Sequence, residues 1–149
     1  MDHIVFLVVG DGPKKAAYEK QYKDVHFLGY QTGEELSKIY ASSDVFVFPS
    51  PTETLGNVVL EAMASGLPVI VANQGGVLEN VKHLQNGMIA AKQDVESYYE
   101  HMKTYYDDQH HYKHTRSQAL EDVKKKSWQD IFKQQLHMHQ SLHINEDIK

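Results

Sequence analysis

The residues best placed for chemistry lie in one loop and the helical run after it. Pro49-Ser50-Pro51-Thr52-Glu53-Thr54-Leu55-Gly56-Asn57 leads into Val58-Val59-Leu60-Glu61-Ala62-Met63-Ala64. A helix that starts here presents unpaired N–H groups and a positive dipole end, a ready site for a diphosphate. Glu53 sits just before that helix, and Glu61 lies within an otherwise apolar segment. A carboxylate there is costly to bury without partners. Ionised, it only accepts hydrogen bonds, so sugar or ribose hydroxyls would suit it. On spacing alone, a solvated stripe carrying Glu61 and a surface acid at Glu53 explain the same pattern.

Three other loops share this small and polar character: Gly10-Asp11-Gly12-Pro13, Gly29-Tyr30-Gln31-Thr32 and Asn73-Gln74-Gly75-Gly76. Each follows an apolar run. The runs are Ile4 to Val9, Val25 to Leu28, Val45 to Phe48 and Val69 to Ala72. They are nearly continuous rather than alternating, the pattern of parallel strands covered on both faces. Between them the spacing predicts helices. One starts at Pro13, with Ala17, Tyr18 and Tyr22 following. A second is capped by Thr32 with Glu35 in a capping box, and has Leu36, Ile39 and Tyr40 on its apolar face. A third runs from about Gly56 to Ser65, stopped by Gly66 and Pro68. This alternation predicts an α/β chain with a doubly wound, Rossmann-like parallel sheet. All four loops would then gather at the carboxyl edge of the sheet, where such folds bind ligands.

The last third changes character. Asn86-Gly87 marks a turn and Met88 to Ala91 one more strand. Asp94 is placed to cap a helix with Val95, Tyr98, Tyr99, Met102 and Tyr106 on one face. Glu121 to Lys126 reads as an exposed connection. Ser127 would cap a final helix with Trp128, Ile131, Phe132, Gln135 and Leu136 in one stripe. With no linker in view, residues 1–149 read as one domain.

Composition narrows the function. A net charge of −5 and the absence of long Lys/Arg runs give no footprint for nucleic acid. The chain has no cysteine, which excludes disulfide staples and cysteine zinc sites and fits a reducing, cytoplasmic setting. No stretch reaches the ~20 apolar residues of a membrane span. His110 with His114, and His139 with His143, have a spacing that could hold zinc, but polar helix surface accounts for them more simply. Helix packing likewise accounts for Tyr98, Tyr99, Tyr105, Tyr106 and Tyr112 without a membrane-interface belt.

Ser50-x-x-Glu53-Thr-Leu-Gly-Asn-Val-Val-Leu-Glu61-Ala-Met-Ala-Ser-Gly-Leu-Pro68 resembles the E-x7-E signature of the retaining GT-B glycosyltransferases, the group 1 glycosyl transferases. Val9-Gly10-Asp11-Gly12-Pro13, Phe27-Leu28-Gly29-Tyr30, Gly75-Gly76 with Glu79, and Asn86-Gly87 continue the likeness in order. It covers about residues 5 to 135. The resemblance implies the C-terminal, nucleotide-sugar-binding half of a GT-B fold with extra C-terminal helices. It implies that Glu53 is catalytic and contacts the hydroxyls of the donor sugar, and that Glu61 holds the ribose. The amides of Thr54, Leu55, Gly56 and Asn57 would cover sugar and diphosphate, and Val58 would pack near the ribose. The Gly10-Asp11 and Gly29-Tyr30 loops would line the base pocket.

The family retains anomeric configuration and needs no metal; in keeping with that, the sequence has no Asp-x-Asp motif. Charge developing on the leaving diphosphate would be met partly by the helix N-terminus. In the family, an Arg and a Lys on an earlier strand–helix unit do the rest, and an N-terminal domain binds the acceptor. Both are expected to be absent from this chain, which alone would then be inactive. Lys14 and Lys15 have no support as substitutes. The terminal helix would cross back to the N-terminal domain, leaving its stripe under-buried. Thr54-Leu55-Gly56-Asn57 replaces the commoner Gly-Phe-Gly and resembles sulfolipid synthases and some mannosyltransferases. That variant points to a lipid acceptor and leaves the sugar open. The resemblance as a whole implies a UDP- or GDP-hexose donor. The expected acceptor is a lipid or polysaccharide, and the setting is cytoplasmic or peripheral at the inner membrane surface. The alternatives are a non-catalytic nucleotide-sugar-binding module and a GT-B-type sugar-nucleotide epimerase.

Overall fold

The computed structural model describes residues 4–50 and 56–126. Two compact units divide the chain, Met1–Ser43 and Asp44–Lys149.

In the first unit, β1 (Phe6–Val9) pairs in parallel with β2 (Val25–Gly29), Phe6 opposite Val25 and Val8 opposite Phe27. The crossover is α1 (Lys15–Gln21), and α2 (Gly33–Ser42) follows β2. Helix α1 begins later than expected, with Lys14 at its N-cap and Pro13 in the turn before it. The reason is local: Asp11 Oδ1 accepts from Gly12 N at 2.9 Å, and Lys15 N donates to Gly12 O at 3.1 Å. These bonds close a turn over the residues where the helix would have started. Thr32 is the N-cap of α2, as expected, but the capping box is not made. Its hydroxyl forms no cap bond, and Glu35 is drawn to Lys38 Nζ at 3.0 Å rather than back toward Thr32. Leu36, Ile39 and Tyr40 do form the inward face, with Tyr40 buried. Strand β1 departs from the expected two-sided cover: Phe6, Leu7, Val8 and Val9 are all exposed. Helix α1 packs on β2.

In the second unit, β3 (Phe46–Phe48), β4 (Val69–Ala72) and β5 (Met88–Ala90) form a parallel sheet in the order β3-β4-β5. Phe46 lies opposite Val69, and Ile70 opposite Met88. The central strand β4 is buried along its whole length, as its unbroken apolar run predicts. Helix α3 (Asn57–Ala64) packs on β3 and β4, and α4 (Val95–Asp107) on β4 and β5. A third helix, α5 (Gln109–Lys124), packs against α3 and α4. The end of α3 follows the sequence reading: Gly66 takes a left-handed φ of +77° and donates to Met63 O, with Pro68 just beyond. Asp94 caps α4 by accepting from Glu96 N and Ser97 N.

Two expectations need correction. The inward stripe of α4 is Tyr98, Met102 and Tyr105, whereas Val95, Tyr99 and Tyr106 are exposed. Glu121 to Lys124 is no connection but the last turn of α5. That helix escaped notice because only Thr115 and Ala119 are buried along it. The stripe from Trp128 to Leu136, with Ser127, His139 and His143, lies outside the described residues.

Candidate functional site

The start of α3 is built around Gly56. It is buried, is the N-cap, and has a left-handed backbone with φ +67°. Its carbonyl accepts from Val59 N at 2.9 Å and Leu60 N at 3.0 Å, closing the first turn. A β-carbon here would lie 2.7 Å from Val77 Cγ1, closer than real contacts allow. Glycine is therefore required twice, for backbone angle and for space. Val77 is fully buried and belongs to a short 3-10 turn, Gly76–Glu79, that follows β4 after Gly75 (φ +84°). The loop after β4 thus presses on the N-terminus of α3. Sequence reading saw both glycine-bearing loops but not that they touch, since nothing in either segment encodes its neighbour.

Along α3 the faces separate cleanly. Val59, Leu60, Ala62 and Met63 are buried, while Asn57, Glu61 and Ala64 are exposed and Val58 is half-buried. Glu61 therefore stands on the outward stripe, one turn from Asn57. An exposed carboxylate one turn inside a helix N-terminus can accept from a polyol, while the helix dipole favours an anion beside it. Glu53, Thr54 and Leu55 lie outside the described residues.

In the first unit, the loops after β1 and β2 take backbone angles that favour glycine, with φ +130° at Gly10 and +70° at Gly29. Asp11 and Tyr30 are both exposed, Tyr30 by 75%. Lys15 is bound to Glu19 at 2.8 Å, and this hydrogen bond raises its pKa.

Asn86 and Gly87 turn out to be a structural junction. Asn86 is buried; its Oδ1 accepts from Lys82 N at 2.7 Å, and its Nδ2 donates to Asn80 O at 3.0 Å and Asp122 Oδ2 at 2.9 Å. A β-carbon on Gly87 would meet Val69 Cγ2 and Val81 Cγ1 at 2.7 Å. The partner Asp122 is distant in sequence, so the turn signal alone could not disclose this role. A cleft of about 290 Å³ also went unforeseen, lined by Pro49, Lys92, Gln93, Asp94, Val95 and Tyr98 beyond the ends of β3 and β5. Among the described residues no three His, Asp or Glu side chains gather as metal ligands.

Comparison with known proteins bears on these features. The family model described as "Glycosyl transferases group 1" matches residues 1–108. A sulfoquinovosyl transferase from Arabidopsis thaliana is 41% identical over 125 residues, covering 80% of this chain and 24% of that protein. A GDP-mannose-dependent alpha-mannosyltransferase from Corynebacterium glutamicum is 32% identical over 133 residues, covering 89% of this chain and 32% of the relative. Among solved structures, a sucrose-phosphate synthase from Thermosynechococcus elongatus superposes with a TM-score of 0.77 at 25% identity, covering 95% of this chain and 39% of that one. The chain thus spans about a quarter to a third of the length of these curated relatives.

Proposed function

Since the chain belongs to the group 1 glycosyl transferases, with the parallel-sheet α/β fold of a GT-B C-terminal domain, we propose that it binds the nucleotide-sugar donor of a retaining hexosyltransferase. The donor is a UDP- or GDP-hexose and the acceptor a lipid or polysaccharide. The observation that carries this reading is the start of α3: a glycine-capped helix N-terminus with Glu61 on its outward face. One relative is named as GDP-mannose-dependent, and another as a sulfoquinovosyl transferase.

In this reading the N-terminal turn of α3 meets the diphosphate, whose charge grows as the sugar–phosphate bond breaks. The dipole contributes about 0.3–1 kcal/mol at an exposed site, and up to ~2 when partly buried. Glu61 accepts from the ribose hydroxyls, and Glu53 from those of the sugar as positive charge builds at the anomeric carbon. Thr54, Leu55, Asn57 and Val58 close over sugar, diphosphate and ribose. No step is assigned to a metal. Among the described residues no helix is long and apolar enough to cross a membrane.

A thermal-shift and calorimetry panel of UDP-, GDP- and ADP-sugars tests the proposal. A ligand at a hundred times its Kd stabilises the folded state by about 2.7 kcal/mol. One nucleotide class should do this and the others should not. Absence of stabilisation by every nucleotide sugar at millimolar concentration would overturn the reading.

A further inference from the structure

Strand β5 is the edge of its sheet, and its outer side is closed by side chains. Ala90 turns inward, its carbonyl accepting from Asn73 N at 2.8 Å. Gly87 and Ile89 turn outward. The Gly87 carbonyl accepts from Leu84 N at 2.9 Å, and His83 bridges Gly87 in parallel. One step further along, the backbone ladder ends and two imidazoles replace it. Ile89 N donates to His83 Nδ1 at 3.0 Å, and Ile89 O lies 3.1 Å from His101 Nε2. A carbonyl only accepts, so His101 Nε2 bears the hydrogen. A backbone N–H only donates, so His83 Nδ1 bears none. The two rings lie 5.5 Å apart between centroids.

The two histidines therefore respond differently to acid. Protonating His101 at Nδ1 leaves its Nε2–H on the carbonyl. Protonating His83 at Nδ1 turns its acceptor into a donor aimed at another donor, and sets a cation beside His101. We propose that His83 is an acid-released latch: on protonation it withdraws from Ile89 and opens the outer edge of β5.

The charges felt at His83 from the packed elements are those of His101 on α4 and His111 on α5, which would repel its proton. His83 is exposed, yet partial desolvation against the strand edge first, then these two rings, lower its pKa below 6.5. The sign follows: the folded form takes up this proton less readily than the unfolded chain. The stability from the latch is thus complete above pH 6.5 and is lost as pH falls from there toward the lowered value. No bound nucleotide is needed for any of this.

Amide hydrogen exchange at Ile89, normalised to the intrinsic rate at each pH, reads the latch directly. Below pH 6.5 opening should increase with acid, by at most about tenfold per pH unit for the one proton taken up, while amides of β4 keep their protection. His83→Ala should abolish the protection of Ile89 at every pH. His83→Asn, whose Oδ1 accepts without titrating, should keep it and remove the pH dependence. Protection at Ile89 that does not change while His83 titrates would overturn the proposal, as would a His83→Ala protein that matches the wild type.

Discussion

Replacing Gly56 by Ala tests whether the start of α3 is held as described. The methyl group faces two separate costs. A non-glycine residue in the left-handed region loses about 1–2 kcal/mol. The contact with Val77 Cγ1 at 2.7 Å adds an overpacking term of about 1–3 kcal/mol. Gly56→Ala should therefore destabilise the protein by about 2–5 kcal/mol. Val77→Ala alone should cost about 2 kcal/mol, from two lost carbons and the space they leave. Together the changes should cost less than their sum, by about 1–3 kcal/mol, because the clash is gone and only the backbone strain and lost burial remain. Denaturant unfolding followed by far-UV circular dichroism measures all four proteins of the cycle. Nucleotide affinity should fall with Gly56→Ala and partly recover in the double variant. A Gly56→Ala protein within about 0.5 kcal/mol of wild type, the range of a neutral surface change, or strict additivity with Val77→Ala, would refute the reasoning.

Glu61→Ala should weaken nucleotide binding by about 1.5–3 kcal/mol, roughly ten- to a hundredfold, at unchanged stability because the side chain is exposed; calorimetry beside a melting curve separates the two. Asp94→Ala should lower stability by about 1 kcal/mol through loss of the α4 cap, whereas Thr32→Ala, which removes no cap bond, should stay within about 0.5 kcal/mol of wild type. Asn86→Ala should cost about 2–4 kcal/mol in denaturant unfolding, since it removes three side-chain hydrogen bonds, to Lys82 N, Asn80 O and Asp122 Oδ2, at a buried site.

What was legible in the sequence was set by neighbours along the chain. Strand β4 announced itself by four apolar residues in a row, and the end of α3 by Gly66 and Pro68. The capping role of Asp94 was equally local. What failed depended on competition or on distant partners. Thr32 and Glu35 fit a capping box, but Lys38 took the carboxylate. The stripe on α4 was misphased because tyrosines on both faces offered more than one apolar line. Helix α5 was hidden because it buries small residues against α3 and α4 instead of showing a stripe of its own. At the candidate site, Glu61 and Gly56 were legible as residues of interest. The exposure of Glu61 was one of two readings the spacing left open, and the pressure of Val77 on Gly56 was written nowhere in the loop.

The junction at Asn86 sets how far the second unit must extend to hold itself together. Asp122 in the last turn of α5 bonds Asn86, and Lys126 just beyond it bonds Asn80. Both contacts brace the segment that feeds directly into β5. A chain shortened to end before Asp122 would keep most of α5 yet lose these braces, and the damage would surface more than thirty residues upstream, at an edge strand. The folding unit therefore includes the chain as far as Lys126, which no break in the sequence announces.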